Sequence, residues 1–298
     1  MSHNHEHQGH LFNPDFEHGN RKAFTAGICL NLAFVLAEVT AGLYYNSMAL
    51  LTDAGHNAGD VASLALSLIA FRVARKKSTP EYTYGYKKTT VLAALINAVI
   101  LLIAIGILGY ESITRLFKPE TVQGGIIAWV AGLGIIINAL SAFLFYKGKE
   151  KDLNAKSAYL HLLADALVSL GVVITGIVMA YTNWYWLDPA IGLVIMIVIL
   201  ISTWGLLRDS FKMTIDAVPS GIELSEIKRV ISEVNYVKTV EHVHVWPLST
   251  TENALTAHVA IDEKLSFDEK LKVIAAIKHE LEHHNIHHST IELNKLSN

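Results

Sequence analysis

Cysteine is nearly absent: the 298-residue chain has one, Cys29, together with six prolines and few charges. A single cysteine excludes a disulfide framework and a cluster of thiolate metal ligands, so metal chemistry would fall to histidine and carboxylates. Charged residues make up only 17% of the chain and leave a formal net charge of -3. That balance lacks the basic excess expected of a nucleic-acid surface. The opening MSHNHEHQGH has no apolar core of secretory type, and no small-residue cleavage site clearly follows the first long apolar stretch. The chain is therefore expected to be kept whole.

What is present in quantity is apolar surface. Hydrophobic residues are 52% of the sequence, which calls for a large core or a bilayer. Apolar stretches of about 20 residues, the length of a helix crossing roughly 30 Å of hydrocarbon, recur at about 24–44, 48–71, 90–110, 123–146, 156–181 and 189–207. The pattern predicts six transmembrane helices.

Basic residues set the expected orientation. Arg21 and Lys22 precede the first span, and Arg72, Arg75, Lys76, Lys77, Lys87 and Lys88 separate the second from the third. Lys147, Lys149, Lys151 and Lys156 separate the fourth from the fifth, and Arg208 and Lys212 follow the sixth. The opposite side has only Arg115 and Lys118. The positive-inside rule then predicts that both termini are cytoplasmic.

Beyond residue 208 the pattern becomes that of a water-soluble domain. GIELSEIKRVISEV has helical periodicity, TVEHVHVWPL and ALTAHVAID are rich in strand formers, SFDEKLKVIAAIKHELEHH is amphipathic, and HHSTIELNKL reads as a final strand. The expected order is α-β-β-α-β, a cytoplasmic α+β module of ferredoxin-like or metallochaperone-like type. Three regions follow: a His-rich tail over 1–22, a membrane domain over 23–208 and a C-terminal domain over 209–298, with Pro219 and Gly221 as the local punctuation.

The second span, LLTDAGHNAGDVASLALSLIA, holds Asp53, His56 and Asp60 in an otherwise apolar run. Residues four apart share a helix face, so His56 and Asp60 present an imidazole and a carboxylate to one place. The fifth span repeats the spacing with His161 and Asp165, and Ser157 and Ser169 extend its polar stripe. Two such helices face to face supply two nitrogens and two carboxylate oxygens, a tetrahedral set suited to Zn²⁺. An aspartate at the centre of a membrane helix costs roughly 2.5–3.5 kcal/mol on insertion scales, and a divalent cation is the natural compensation. Glu38, Asn31, Asn97 and Asn138 also fall inside spans and are read as interhelical hydrogen-bond formers. Asp53 has two readings, lining the approach to the site or starting its helix.

With these residues in hand, the chain resembles the cation diffusion facilitators, and among them the zinc-transporting members. The resemblance rests on ALLTDAGHNAGD, YTYGYKKTTVLAALINA, NAKSAYLHLLADALVSLGV, LDPAIGLVI, EHVHVWPL and HHSTIELN. It implies that His56, Asp60, His161 and Asp165 form the transport site, that histidine at position 56 goes with zinc preference, and that the protein is a homodimer joined partly through its C-terminal domains. It also implies a metal at that dimer contact drawing on His242, His258 and His287, with His288 as the alternative to His287. Two departures stand out. Thr90 occupies a position that is acidic in many relatives, and the loop between the fourth and fifth spans is short and lysine-rich where relatives often have histidines. The histidines gather instead at the N-terminus, as His3, His5, His7, His10 and His18, a composition that suits metal collection or a flexible tail.

The expected activity is export of divalent metal, Zn²⁺ foremost with Cd²⁺ or Co²⁺ as further candidates, in exchange for protons. Metal needs neutral imidazoles and ionised carboxylates, so protons and metal compete for the same atoms. The metal is substrate and regulatory ligand, with no prosthetic group expected, and the location is the cytoplasmic membrane of a bacterium. An intramembrane metalloenzyme would favour three ligands and an open position. A membrane-anchored sensor would have no use for ionisable groups at mid-depth.

Overall fold

The computed structural model describes residues 21–146, 153–262 and 264–294. The N-terminal histidines and Lys147, Lys149 and Lys151 lie outside the described residues, as do the side chains of Arg21, Lys22, Cys29, Lys156 and Ser157. Two compact units are distinguished. One comprises the chain up to Leu66 with Asn97–Gly205, and the other Ser67–Ile96 with Leu206–Asn298.

Six long helices come first: α1 (Arg21–Tyr44), α2 (Met48–Ala74), α3 (Thr89–Phe117), α4 (Gly124–Tyr146), α5 (Leu153–Thr182) and α6 (Leu187–Thr214). The last five are long and apolar enough to cross a membrane, and the stretch Leu30–Tyr44 of α1 is a shorter apolar helix. Their outward faces carry large apolar side chains, among them Leu36, Ile107, Trp129, Leu167 and Ile201, a surface suited to lipid. The third and sixth helices outrun their apolar stretches, so Arg115 lies inside α3 and Arg208 and Lys212 inside α6. Helical geometry continues through these amphipathic ends, where hydropathy alone stops.

Within the first unit, α4 and α5 pack backbone to backbone. A Cβ on Gly176 would meet Ala128 N and Gly124 O at 2.7 Å, so the small pairs Gly124/Ala128 and Gly176/Ala180 set the approach. The start of α2 is fixed by α6. Ser47 Oγ donates to Asp188 Oδ1 at 2.6 Å, Met48 N donates to Asp188 Oδ2 at 2.5 Å, and Ala49 N reaches Asp188 Oδ1 at 3.4 Å. Leu50 N donates to Ser47 Oγ at 3.2 Å. The donors that a helix start leaves unpaired are therefore met by a side chain of its own and one borrowed from α6. Loss of the Asp188 carboxylate would leave buried donors at a cost of about 1–3 kcal/mol each.

The second unit holds the C-terminal domain: α7 (Leu224–Ser232), β1 (Val237–Pro247), β2 (Asn253–Ile261), α8 (Phe267–Glu282) and β3 (Ile286–Asn294). The sheet order is β1-β2-β3, with β1 antiparallel and β3 parallel to β2. The parallel pair requires the crossover that α8 supplies. Ile227 and Ile231 of α7 and Val273, Ile277 and Leu281 of α8 pack on Leu255 and Val259 of the sheet, leaving the other sheet face open. Ser266 and Glu269 form a capping box at the start of α8, and the bonds to Ser266 hold the Glu269 carboxyl below its ordinary value.

The same unit contains the turn between α2 and α3. Lys87 pairs with Glu252, and Lys88 pairs with Asp216 and donates to Pro247 O at 2.9 Å. Thr90 donates to Lys87 O at 3.0 Å and accepts from Thr250 N at 3.1 Å.

Candidate metal centre

Helices α2 and α5 meet antiparallel along their polar stripes. Each step forward on α2 is matched by a step of four back on α5: Asp53 faces Ser169, His56 faces Asp165, and Asp60 faces His161. Steps of three and then four on α2, against steps of four on α5, keep these pairs along one face.

His161 Nε2 lies 3.1 Å from Asp60 Oδ2 and 3.5 Å from Asp165 Oδ2. His56 Nε2 lies 3.5 Å from Asp165 Oδ1 and 3.9 Å from Asp60 Oδ2. The imidazole rings are 6.1 Å apart and nearly perpendicular, at 82°. One donor atom from each of Asp60, His161 and Asp165 falls within 4.8 Å of the others, and His56 stands beside this trio. Two nitrogens and carboxylate oxygens around a small volume suit a tetrahedral ion. Exposure is graded across the site. The side chains of Asp60 and His161 are each 33% exposed, His56 is 20% and Asp165 is 4%.

Beyond Asp165 the polar stripe is sealed. Asp53, Asn57, Glu38 and Ser169 are buried, and Ser169 Oγ donates to Asp53 Oδ2 at 3.2 Å. Asp53 therefore does not start its helix, since Ser47 and Asp188 fill that role. Glu38 bonds Asn57 across the α1–α2 contact at 3.4 Å, an interhelical bond of the expected kind. Asn138 departs from expectation, for both of its buried side-chain atoms lack a hydrogen-bond partner among the described residues.

On the open face of the sheet, His242 and His258 come together with ring centroids 4.9 Å apart. The simple alternation expected along β1 is interrupted there. Glu241 pairs with His258 and His244 with Thr256, so β1 has one extra residue, and His242 has a left-handed φ of 48°. This is a β-bulge, which re-aims the side chain it carries. The acidic neighbour of His258 is Glu292, at 3.6 Å from Nε2, and Asn294 lies 3.1 Å from Nδ1. His287 falls at the irregularity of the β2–β3 register between Ile286 and His288. His288 packs on Tyr84 with ring centroids 5.2 Å apart. Glu292 and Asn294 were legible only as alternating residues of a last strand. Their approach to His258 depends on a parallel register that sequence does not print.

Comparison with known proteins agrees with this layout. Residues 24–213 match the cation efflux transmembrane domain, and residues 219–296 match the cytoplasmic domain of cation efflux proteins. The chain belongs to the cation efflux family. As a family member it is a multi-pass membrane protein with a C-terminal α+β domain. It is 34% identical to the zinc transporter ZitB of Escherichia coli K12 over 297 residues, covering 98% of this chain and 92% of that protein. It is 33% identical over 296 residues to a cadmium, cobalt and zinc/H(+)-K(+) antiporter of Bacillus subtilis, again covering 98% and 92%. The metal cation efflux system protein CzcD of Cupriavidus metallidurans is 34% identical over 286 residues, 94% of this chain and 87% of the relative.

Proposed function

We propose that this family member exports Zn²⁺ from the cytoplasm in exchange for protons, with His56, Asp60, His161 and Asp165 as the transport site. The observation that carries the reading is the convergence of these four side chains from two helices onto one volume, every His–Asp distance among them 3.9 Å or less. Two imidazoles favour zinc over magnesium or calcium, whose shells are all oxygen. Cadmium and cobalt accept similar ligands, in keeping with the names of the relatives. Four protein donors fill a tetrahedral shell and suit capture and release better than activation of a water.

All six helices span the bilayer in this reading, with both termini cytoplasmic. Asp60 and His161, the more exposed pair, lie toward the end of α2 that leads to Arg72, Arg75, Lys76 and Lys77. The exposure gradient thus fits a site open to the cytoplasm and closed beyond Asp53. Zinc loads from that side onto neutral imidazoles and ionised carboxylates. Rocking of the helices then opens the other side, where protons replace the metal on histidines whose ordinary pKa is about 6.5. The protein works as a homodimer through its C-terminal domain. His242 and His258, with either Glu292 or His287, form a regulatory metal site there.

The test is zinc uptake into proteoliposomes under an imposed pH gradient, comparing the intact protein with Asp165→Ala. The intact protein accumulates zinc, and the variant, folded by circular dichroism and size exclusion, does not. Equal uptake by both would remove the four residues from the transport path.

A further inference from the structure

The stripe on α2 that carries the candidate metal site runs one turn further, into a second polar cluster. Glu38 of α1, Asp53 and Asn57 of α2 and Ser169 of α5 are all fully buried. Asn57 Nδ2 donates to Glu38 Oε2, Asn57 stands one helical turn from Asp53 on α2, and Ser169 Oγ donates to Asp53 Oδ2, so the two carboxyl groups belong to one buried cluster. After these bonds, Glu38 Oε1, Asp53 Oδ1 and Asn57 Oδ1 remain buried with no hydrogen-bond partner among the described residues. The charged groups acting on Asp53 are Glu38, His56 and Asp165, two of them carboxylates.

Two carboxylates in one cluster out of water repel and are poorly solvated, and a single proton held by the pair relieves both penalties. The unsatisfied atoms are all oxygens, the preference of a hard cation. In a cluster packed this closely, the proton is the cation that a buried carboxyl oxygen takes without moving either helix.

We propose that Glu38 and Asp53 share a proton and form a proton-carrying site separate from the metal ligands. This inference rests on the transport reading above and names residues that carry its countercharge. Asp53 precedes His56 by three residues, a rise of about 4.5 Å along the helix. A dication on the four ligands therefore stabilises the fully ionised pair and expels its proton to the side from which the metal came. Departure of the metal on the other side draws a proton back onto the pair from that side. Ser169 is one turn from Asp165 as Asp53 is from His56, so any shift of α2 against α5 that opens the metal site also strains the Ser169–Asp53 bond. The pair and the metal site thus respond to the same movement.

The decisive measurement is zinc-induced infrared difference spectroscopy on the unmodified protein in lipid, paired with calorimetric counting of protons released per zinc in buffers of different ionisation heat. The expected result is loss of a protonated-carboxyl C=O absorption on zinc binding. In Glu38→Gln that signal disappears, one proton fewer is released per zinc, and the stimulation of zinc uptake by a pH gradient is lost. Glu38→Asp restores the signal, and Asp53→Asn behaves as Glu38→Gln does. The proposal is overturned if the unmodified protein shows no such absorption change, or if Glu38→Gln leaves the proton count and gradient response as they were. It is equally overturned if Glu38→Gln abolishes zinc binding, which would make the residue part of the metal site. Should the unmodified protein bind zinc yet transport none, the transport reading fails while the infrared result still decides the pair.

Discussion

The molecule has two places where histidines and carboxylates gather, and they are built by opposite means. Between α2 and α5 the groups are set by helical spacing, graded from partly exposed at Asp60 and His161 to nearly inaccessible at Asp165, and spread evenly over two elements. On the sheet they sit on an open face, brought together by a bulge in β1 and by the parallel pairing of β2 with β3. A buried carboxylate demands a counter-charge, whereas an exposed histidine beside Glu292 is satisfied by water when nothing else is there. Burial therefore ties the first cluster to the protein's central task, and exposure leaves the second free to be filled or empty.

The contrast is broken most severely by disabling one ligand in each place. Asp60→Asn keeps the shape of the side chain and replaces an anionic ligand by a neutral amide, so zinc accumulation in proteoliposomes is expected to fall to that of protein-free vesicles. His258→Ala is expected to remove a zinc equivalent from the count bound per chain while most of the transport rate survives. If His258→Ala also stops transport, the two sites are not divided into transport and regulation.

That division follows what the sequence reveals. The i, i+4 repeats of His56/Asp60 and His161/Asp165 were legible because a helix turns spacing directly into geometry, and six apolar stretches announced the helices around them. The order α-β-β-α-β was equally open, since each element has its own period. Other features need three-dimensional knowledge. Asp188 is separated by 140 residues from the backbone it caps at Met48, and Glu38 meets Asn57 only through the α1–α2 contact. His242 owes its place to an extra residue in a strand, and a single inserted position in a ladder has no periodic signature.

Acidification and salt separate the two clusters more gently. Each uses two imidazoles that bind metal only when neutral, so zinc affinity at both is expected to fall on acidification. The sign is fixed, for protonation removes a ligand. Raising ionic strength from about 0.1 M to about 1 M shortens the screening length from about 10 Å to about 3 Å. Zinc titrations at fixed pH are therefore expected to weaken with salt for the sheet cluster and to weaken less for the membrane site, where Asp165 is out of water. Equal salt dependence would mean that the membrane site is as open to water as the sheet.

The smallest effect resolves the third ligand on the sheet. Glu292 faces His258 across the β2–β3 ladder and lies 3.6 Å from its ring nitrogen, whereas His287 stands at the register irregularity beside Ile286. Glu292→Gln removes an anionic oxygen without changing length, and is expected to weaken zinc binding by this cluster on the order of tenfold, the scale seen when a ligand's close partner is lost. His287→Ala is expected to change that affinity far less. Calorimetry with the transport site removed by Asp165→Ala isolates the signal from the sheet. The reverse ranking would mean that β3 shifts its register when metal binds, carrying His287 onto the open face and Glu292 away from it. A one-residue slip would flip every β3 side chain to the other face, which would also expose Ile291 and Leu293, residues now packed on the core. That cost is the physical reason for assigning the third ligand to Glu292.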